Sequence, residues 1–143
     1  MTAKARASNK PSRGRRTKVQ IGRPGTGAGG QPLPFSPAMR AGDFVYVSGQ
    51  IAYDENGELV AGGIVAQTRQ TLANLRKILE SAGCSLDDVV KTNVWLNDAR
   101  DFWSFNRVYA GHFPHLPPAR STVQSPLMVD AKIEIDCVAY KPL

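Results

Sequence analysis

Apolar positions along the chain follow two periods, and the switches between them mark out its elements. Phe44-Val45-Tyr46-Val47, closed by Ser48-Gly49-Gln50, predicts a strand over residues 43–48. Val65, Thr68, Leu72, Leu75, Leu79 and Ala82 then recur three or four apart and form one face of a long helix preceded by Gly62-Gly63. Gly83 supplies a left-handed stop, and Ser85-Leu86-Asp87-Asp88 has the form of a capping box opening a single turn. Val89–Leu96 reads as a strand. Phe102, Phe105, Tyr109 and Phe113 place a second helix over residues 100–113, ended by Pro114. Arg120 to Gln124 is a short strand behind Pro117-Pro118. Over residues 131–140 the alternation is clean, with Ala131, Ile133, Ile135, Cys137 and Ala139 on one side and Lys132, Glu134 and Asp136 on the other.

Weaker signals fill the rest. Thr17 to Ile21 alternates enough for a short edge strand. Residues 22–34 hold five glycines and three prolines and read as a loop. Asp54-Glu55-Asn56-Gly57 is a turn signal in which Asn56-Gly57 favours a tight hairpin. The order β-β-α-β-α-β-β predicts an α+β domain, a mixed sheet covered on one face by two helices.

Length and charge divide the 143 residues into a basic tail (1–16), a Gly/Pro-rich lead-in (17–40) and one domain (41–143). Residues 1–40 carry nine Lys/Arg and no acid, whereas residues 41–143 carry nine Lys/Arg against twelve Asp/Glu, a net of −3. The tail lacks large apolar residues beyond Met1 and is expected to be disordered. No apolar run reaches the roughly 20 residues of a membrane span, and no apolar h-region precedes the fold. Two cysteines, Cys84 and Cys137, at irregular spacing read as reduced thiols of a cytoplasmic protein.

Two candidate chemistries fail on their context, and a third is not favoured. Gly25-Thr26-Gly27-Ala28-Gly29-Gly30 matches G-x-G-x-x-G, but Pro32, Pro34 and Pro37 follow where a nucleotide-binding helix must start. His112 and His115 flank Pro114 with no Cys cluster beside them, so no metal site is expected. The tail's charge suits phosphate contacts with nucleic acid, but it has no interleaved aromatics for stacking and reads first as a solvated tail. As a mitochondrial transit peptide it would be Arg-rich and acid-free, as it is, but also amphipathic, which it is not. Arg120 and Glu134 form the sharper pair. A guanidinium entering a strand from a proline-stiffened segment offers a planar fork to a carboxylate. Glu134, on the non-core face of what reads as the adjacent strand, could meet a ligand or water, or could form a structural ion pair with Arg120.

Taken together, several stretches resemble the Rid (YjgF) family. These are Ala41-Gly42-Asp43-Phe44 through Ile51, Gln67-Thr68-Arg69-Gln70, Leu86 to Lys91, Asn106-Arg107-Val108-Tyr109, Pro117-Pro118-Ala119-Arg120-Ser121-Thr122-Val123 and Ile133-Glu134-Ile135. The resemblance spans about residues 33–141 and implies a chorismate-mutase-like (YjgF-type) fold, assembled as a homotrimer with ligand clefts between subunits. It implies cofactor-independent hydrolysis of small 2-imino or 2-enamino acids to 2-oxo acids and ammonia. By motif match Arg120 would bind the substrate carboxylate and Glu134 would position or activate water. The backbone around Ser48 and Gly49 would line the cleft, and Asn106 would help shape it. Two departures stand out. Where many members carry a site tyrosine, Leu33-Pro34-Phe35-Ser36-Pro37-Ala38 supplies Phe35, which keeps the ring and loses the hydroxyl. Thr122 stands where many bacterial members have cysteine, although threonine also occurs there in the family. The rival readings are a non-catalytic module that binds a small carboxylate such as a 2-oxo acid, and RNA binding or cleavage involving the tail.

Overall fold

The computed structural model describes residues 17–143. The basic tail over 1–16, with the disorder expected of it, lies outside them. One sheet contains β1 (Val19–Ile21), β2 (Ala38–Ala41), β3 (Phe44–Gln50), β4 (Val89–Leu96), β5 (Ala119–Gln124) and β6 (Ile133–Tyr140). Helix α1 (Gly63–Ser81) connects β3 to β4, and α2 (Phe102–His112) connects β4 to β5. Across the sheet the order is β1-β2-β3-β6-β4-β5. Only the β4–β5 pair is parallel, because the α2 crossover returns the chain to the end where β4 began. The sheet is therefore mixed, with both helices on one face, as the sequence pattern implied.

Four local expectations needed correction. Strand β2 was not anticipated: Ala38-Met39-Arg40-Ala41 carries no β-branched or aromatic residue, and its extended form comes from pairing with β3 across a turn in which Gly42 takes φ 59°. Helix α1 buries Ile64 rather than Val65, which is 36% exposed, since Ile64 sits one turn before Thr68 on the core-facing stripe. Residues 99–101 form a 3-10 turn ahead of α2, because the Asp98 carboxylate accepts the Arg100 N–H 2.9 Å away and tightens the entry. Asn56-Gly57 does not make a two-residue hairpin. The Asp54 carboxylate accepts the N–H groups of both Asn56 and Glu58, and the longer turn is closed by a single bridge between Tyr53 and Leu59.

Other signals hold as read. Gly83 takes φ 76° behind α1, and the Ser85–Asp88 capping box is formed. The glycine-rich motif closes as a loop, with Gly27 N–H donating to Gln31 O at 2.7 Å and Leu33 N–H to Gly25 O at 2.8 Å, and a one-turn 3-10 stretch rather than a long helix inside it. Cys84 and Cys137 are both free thiols and buried.

The core lies between the helices and the sheet. Leu72, Leu75 and Leu79 of α1 and Phe105 and Tyr109 of α2 pack against Val45, Val47, Val94, Leu96, Ile133 and Ile135. Each fully buried large side chain contributes roughly 1.5–3 kcal/mol. The other face of the sheet is uncovered in the single chain. There Phe44, Tyr46 and Tyr140 are 40%, 49% and 45% exposed, and the Phe44 ring packs tilted against Tyr140 at 5.2 Å between centroids.

Candidate active site

Arg120 belongs to β5, an edge strand entered through Leu116, at φ 45°, and then Pro117-Pro118. Its register partner is Thr92 of β4, whose buried hydroxyl shares a 2.7 Å hydrogen bond with Tyr109. This puts the Arg120 side chain on the helix-covered face, at the rim of the core. Its guanidinium lies 4.7 Å from the Tyr109 ring centroid, 5.0 Å from Phe105 and 5.8 Å from Phe102. One terminal NH2 donates to Asn106 Oδ1 at 2.8 Å. Three rings and one amide thus fix the guanidinium plane, each ring contact adding of order 0.5–2 kcal/mol. Among the described residues Arg120 makes no salt bridge. The rest of its fork is available to an anion, and a carboxylate fits it bidentately. Thr122 lies two residues on, facing the same way, on the wall of an open cleft of about 350 Å³ that Phe102 also lines.

Glu134 occupies a second setting. A bulge in β3 between Val47 and Gln50 carries Ser48 and Gly49 out of regular register with β6. The backbone of Gly49 lies directly against the Glu134 side chain, where a Cβ would overlap the carboxylate. Burial, with Asp136 adding like charge, raises the Glu134 carboxyl above its ordinary range. Burial also raises Asp136, offset in part by its hydrogen bonds from Asn93. Ser48 Oγ donates to Ser36 O at 2.6 Å, and Ser48 N–H donates to Pro37 O at 2.9 Å. These bonds pin the lead-in segment beside the bulge, with Phe35 53% exposed just ahead of it.

The expected adjacency of Arg120 and Glu134 is not found. Strand β4 separates β5 from β6, and Glu134 pairs with Trp95, whose partner on β5 is Val123. Residues 120 and 123 point to opposite faces under the period-two alternation of a strand. Arg120 and Glu134 therefore sit on opposite sides of one sheet, and the ion pair between them does not form. The structure gathers Arg120, Asn106 and Thr122 in one place and Ser48, Gly49 and Glu134 in another.

The model of the family described as Endoribonuclease L-PSP matches residues 30–141. The chain belongs to the Rid (YjgF) family. Among Rid relatives, a RutC family protein of Pyrococcus horikoshii is 49% identical over 110 residues, covering 76% of this chain and 87% of that one. A mouse protein named 2-iminobutanoate/2-iminopropanoate deaminase is 40% identical over 110 residues, covering 76% of this chain and 82% of its own length. The crystal structure of yeast Mmf1 superposes with a TM-score of 0.79 at 37% identity, covering 87% of this chain and 99% of that chain. Some Rid relatives thus carry imine-deaminase names, while others carry only a family name.

Sequence reasoning about this Rid domain missed three groups around its candidate site. Phe102, Phe105 and Tyr109 were legible as a helical stripe but not as a box around Arg120, which depends on how α2 sits over β5. Asp136, beside Glu134 on the same face, was readable only as an alternating acid. Trp103, 71% exposed at the cleft, carries no periodic signal. His112 Nδ1 lies 2.9 Å from Val108 O, and no group of three or more His, Cys, Asp or Glu residues suited to a metal occurs among the described residues. Nor is any helix among them long and apolar enough to cross a membrane.

Proposed function

We propose that this protein hydrolyses small 2-imino and 2-enamino acids to 2-oxo acids and ammonia, without a cofactor, in clefts formed between copies of the chain. The observation that carries this reading is Arg120: its guanidinium is held flat by Phe102, Phe105, Tyr109 and Asn106 and is paired with no acid among the described residues. Such a group is built to receive a carboxylate. The name of the mouse relative supports the same substrate class.

In this mechanism Arg120 holds the substrate carboxylate, leaving the adjacent iminium carbon open to attack. Glu134 takes a proton from water as the oxygen bonds to that carbon, forming a carbinolamine. The nitrogen, once protonated, leaves as ammonia while the hydroxyl loses its proton and the carbonyl forms. A raised carboxyl suits Glu134 to this task, since a general base works best with a pKa nearer the operating pH. Orientation by Arg120 and base help of roughly 10²–10⁴-fold are enough for an electrophile already activated by protonation. Ser48 and Gly49 line the Glu134 side, Asn106 and Thr122 the Arg120 side, and Phe35 offers a ring without a hydroxyl.

The two halves face away from each other in one chain, which supports their completion by a neighbouring copy. The exposed Phe44, Tyr46 and Tyr140 cluster supports a subunit interface on the open face, in the homotrimer that the family resemblance implies. The cytoplasm is the proposed compartment, although the yeast relative Mmf1 is named mitochondrial. A second reading, a sensor that binds a 2-oxo acid without turnover, draws on the hydroxyl missing at Phe35.

The test is an amino-acid oxidase assay in which semicarbazide traps surviving 2-imino acids. Wild type is expected to speed imine loss and Arg120→Ala is not. Equal acceleration by both removes Arg120 from the mechanism. No acceleration by wild type with any substrate, together with saturable 2-oxo acid binding, establishes the sensor instead.

A further inference from the structure

We infer that the cleft beside Arg120 receives the substrate's side chain and makes the enzyme favour 2-imino acids with large apolar, above all aromatic, side chains. This rests on the deaminase reading above and adds to it a substrate class.

The cleft measures about 350 Å³, within the range of small-ligand pockets. Its walls come from the start of α2 (Phe102, Trp103), the end of β4 (Leu96), the edge strand β5 (Thr122, Val123), and Arg100. Phe102 is the shared wall, with one part of its surroundings the Arg120 guanidinium at 5.8 Å and another the cleft itself. A 2-imino acid whose carboxylate is held by Arg120 can extend its side chain past Phe102 into this space.

Charge sets the direction of binding. Arg100 lines the cleft and Arg120 lies behind Phe102, but Arg100 is paired with Asp98, with Nε 3.1 Å from both carboxylate oxygens and NH2 2.7 Å from Oδ2. Arg120 has no such acid partner among the described residues. The carboxylate therefore goes to Arg120, and the remaining cleft, lined by the Phe102 and Trp103 rings and the aliphatic Leu96, is left for apolar groups. Trp103 is 71% exposed in the single chain, so its ring is open to the cleft. It offers an aromatic surface for stacking, and rings in offset or edge contact gain beyond the area they bury. Thr122 adds one hydroxyl near the Arg120 end, where the polar part of the ligand would lie.

The experiment compares imines generated by an L-amino-acid oxidase from alanine, leucine and phenylalanine, with wild type, Trp103→Ala, Trp103→Phe and Arg120→Ala. Wild type is expected to show a higher kcat/KM on the phenylalanine and leucine imines than on the alanine imine. In Trp103→Ala the phenylalanine-to-alanine ratio is expected to fall about tenfold, and in Trp103→Phe to recover most of that loss; a pocket contact of this kind sets discrimination on that scale. Because Trp103 is exposed, the variant keeps its fold, which circular dichroism checks. If Arg120→Ala loses activity on all three while wild type shows no preference for large side chains, or Trp103→Ala leaves the ratio unmoved, the side-chain cleft is wrong and the deaminase stands. If Arg120→Ala retains full activity on all three, the underlying reading falls, and this inference with it.

Discussion

If Glu134 is the base of the proposed mechanism, Gly49→Ala offers a way to disable it without altering it. In the native fold the Gly49 backbone touches the Glu134 side chain, and a Cβ added there would overlap a carboxylate oxygen outright. It would also lie 3.0 Å from the carboxylate carbon and 3.2 Å from Cγ, against 3.4–4 Å for ordinary contact. Because the obstacle is the end of a flexible, partly solvated side chain, the overlap is relieved by Glu134 swinging away while the strand stays in place. A displacement of about 1 Å in a reacting group costs up to ~10²-fold in rate, and full loss of a general base costs roughly 10²–10⁴-fold. Gly49→Ala should therefore lower kcat by about 10²-fold or more, toward the level of Glu134→Gln, with KM for the imine changed far less because Arg120 is untouched. The assay is steady-state imine hydrolysis, alongside thermal unfolding to check the fold. Wild-type kcat in a folded Gly49→Ala would refute the argument, since it would mean that Glu134 need not stand where the bulge puts it.

Two further outcomes follow from polar groups that the fold takes partly or wholly out of water. The fold raises the Glu134 carboxyl, so this group's contribution to stability is present in acid and is lost as pH rises through its folded pKa. Glu134→Gln should accordingly melt higher than wild type at neutral pH, with the difference closing as pH falls, while wild-type kcat/KM declines over the same acid limb; a Tm difference independent of pH would contradict this. Thr92→Val leaves the buried Tyr109 hydroxyl without its 2.7 Å partner and should cost about 1–3 kcal/mol, measured by denaturant unfolding. An unchanged midpoint would show that the hydroxyl finds another partner.

Much of this protein was readable along the chain because its elements carry their own signals. The stripe Thr68, Leu72, Leu75 and Leu79, the alternation Ile133, Ile135, Cys137 and Ala139, the stop at Gly83 and the capping box at Ser85 depend on contacts or dihedrals within a few residues. The Pro-Pro-Ala-Arg-Ser segment and Ile-Glu-Ile likewise marked Arg120 and Glu134 as the residues to examine. Strand β2 escaped because Ala38-Met39-Arg40-Ala41 becomes a strand only through its neighbour β3. Local sequence also could not say that β6 inserts between β3 and β4, which depends on how segments far apart in the chain pair in the sheet. That insertion puts β4 between β5 and β6, and the register then turns Arg120 and Glu134 to opposite faces. The box of rings around Arg120 and the contact between Gly49 and Glu134 have the same origin. Sequence alone identified the helices and five of the six strands and marked two charged residues as candidates, since short-range periodicity and motif encode those. Which side chains meet was decided only by strand order, register and helix placement, because these fix relations between residues that share no local signal.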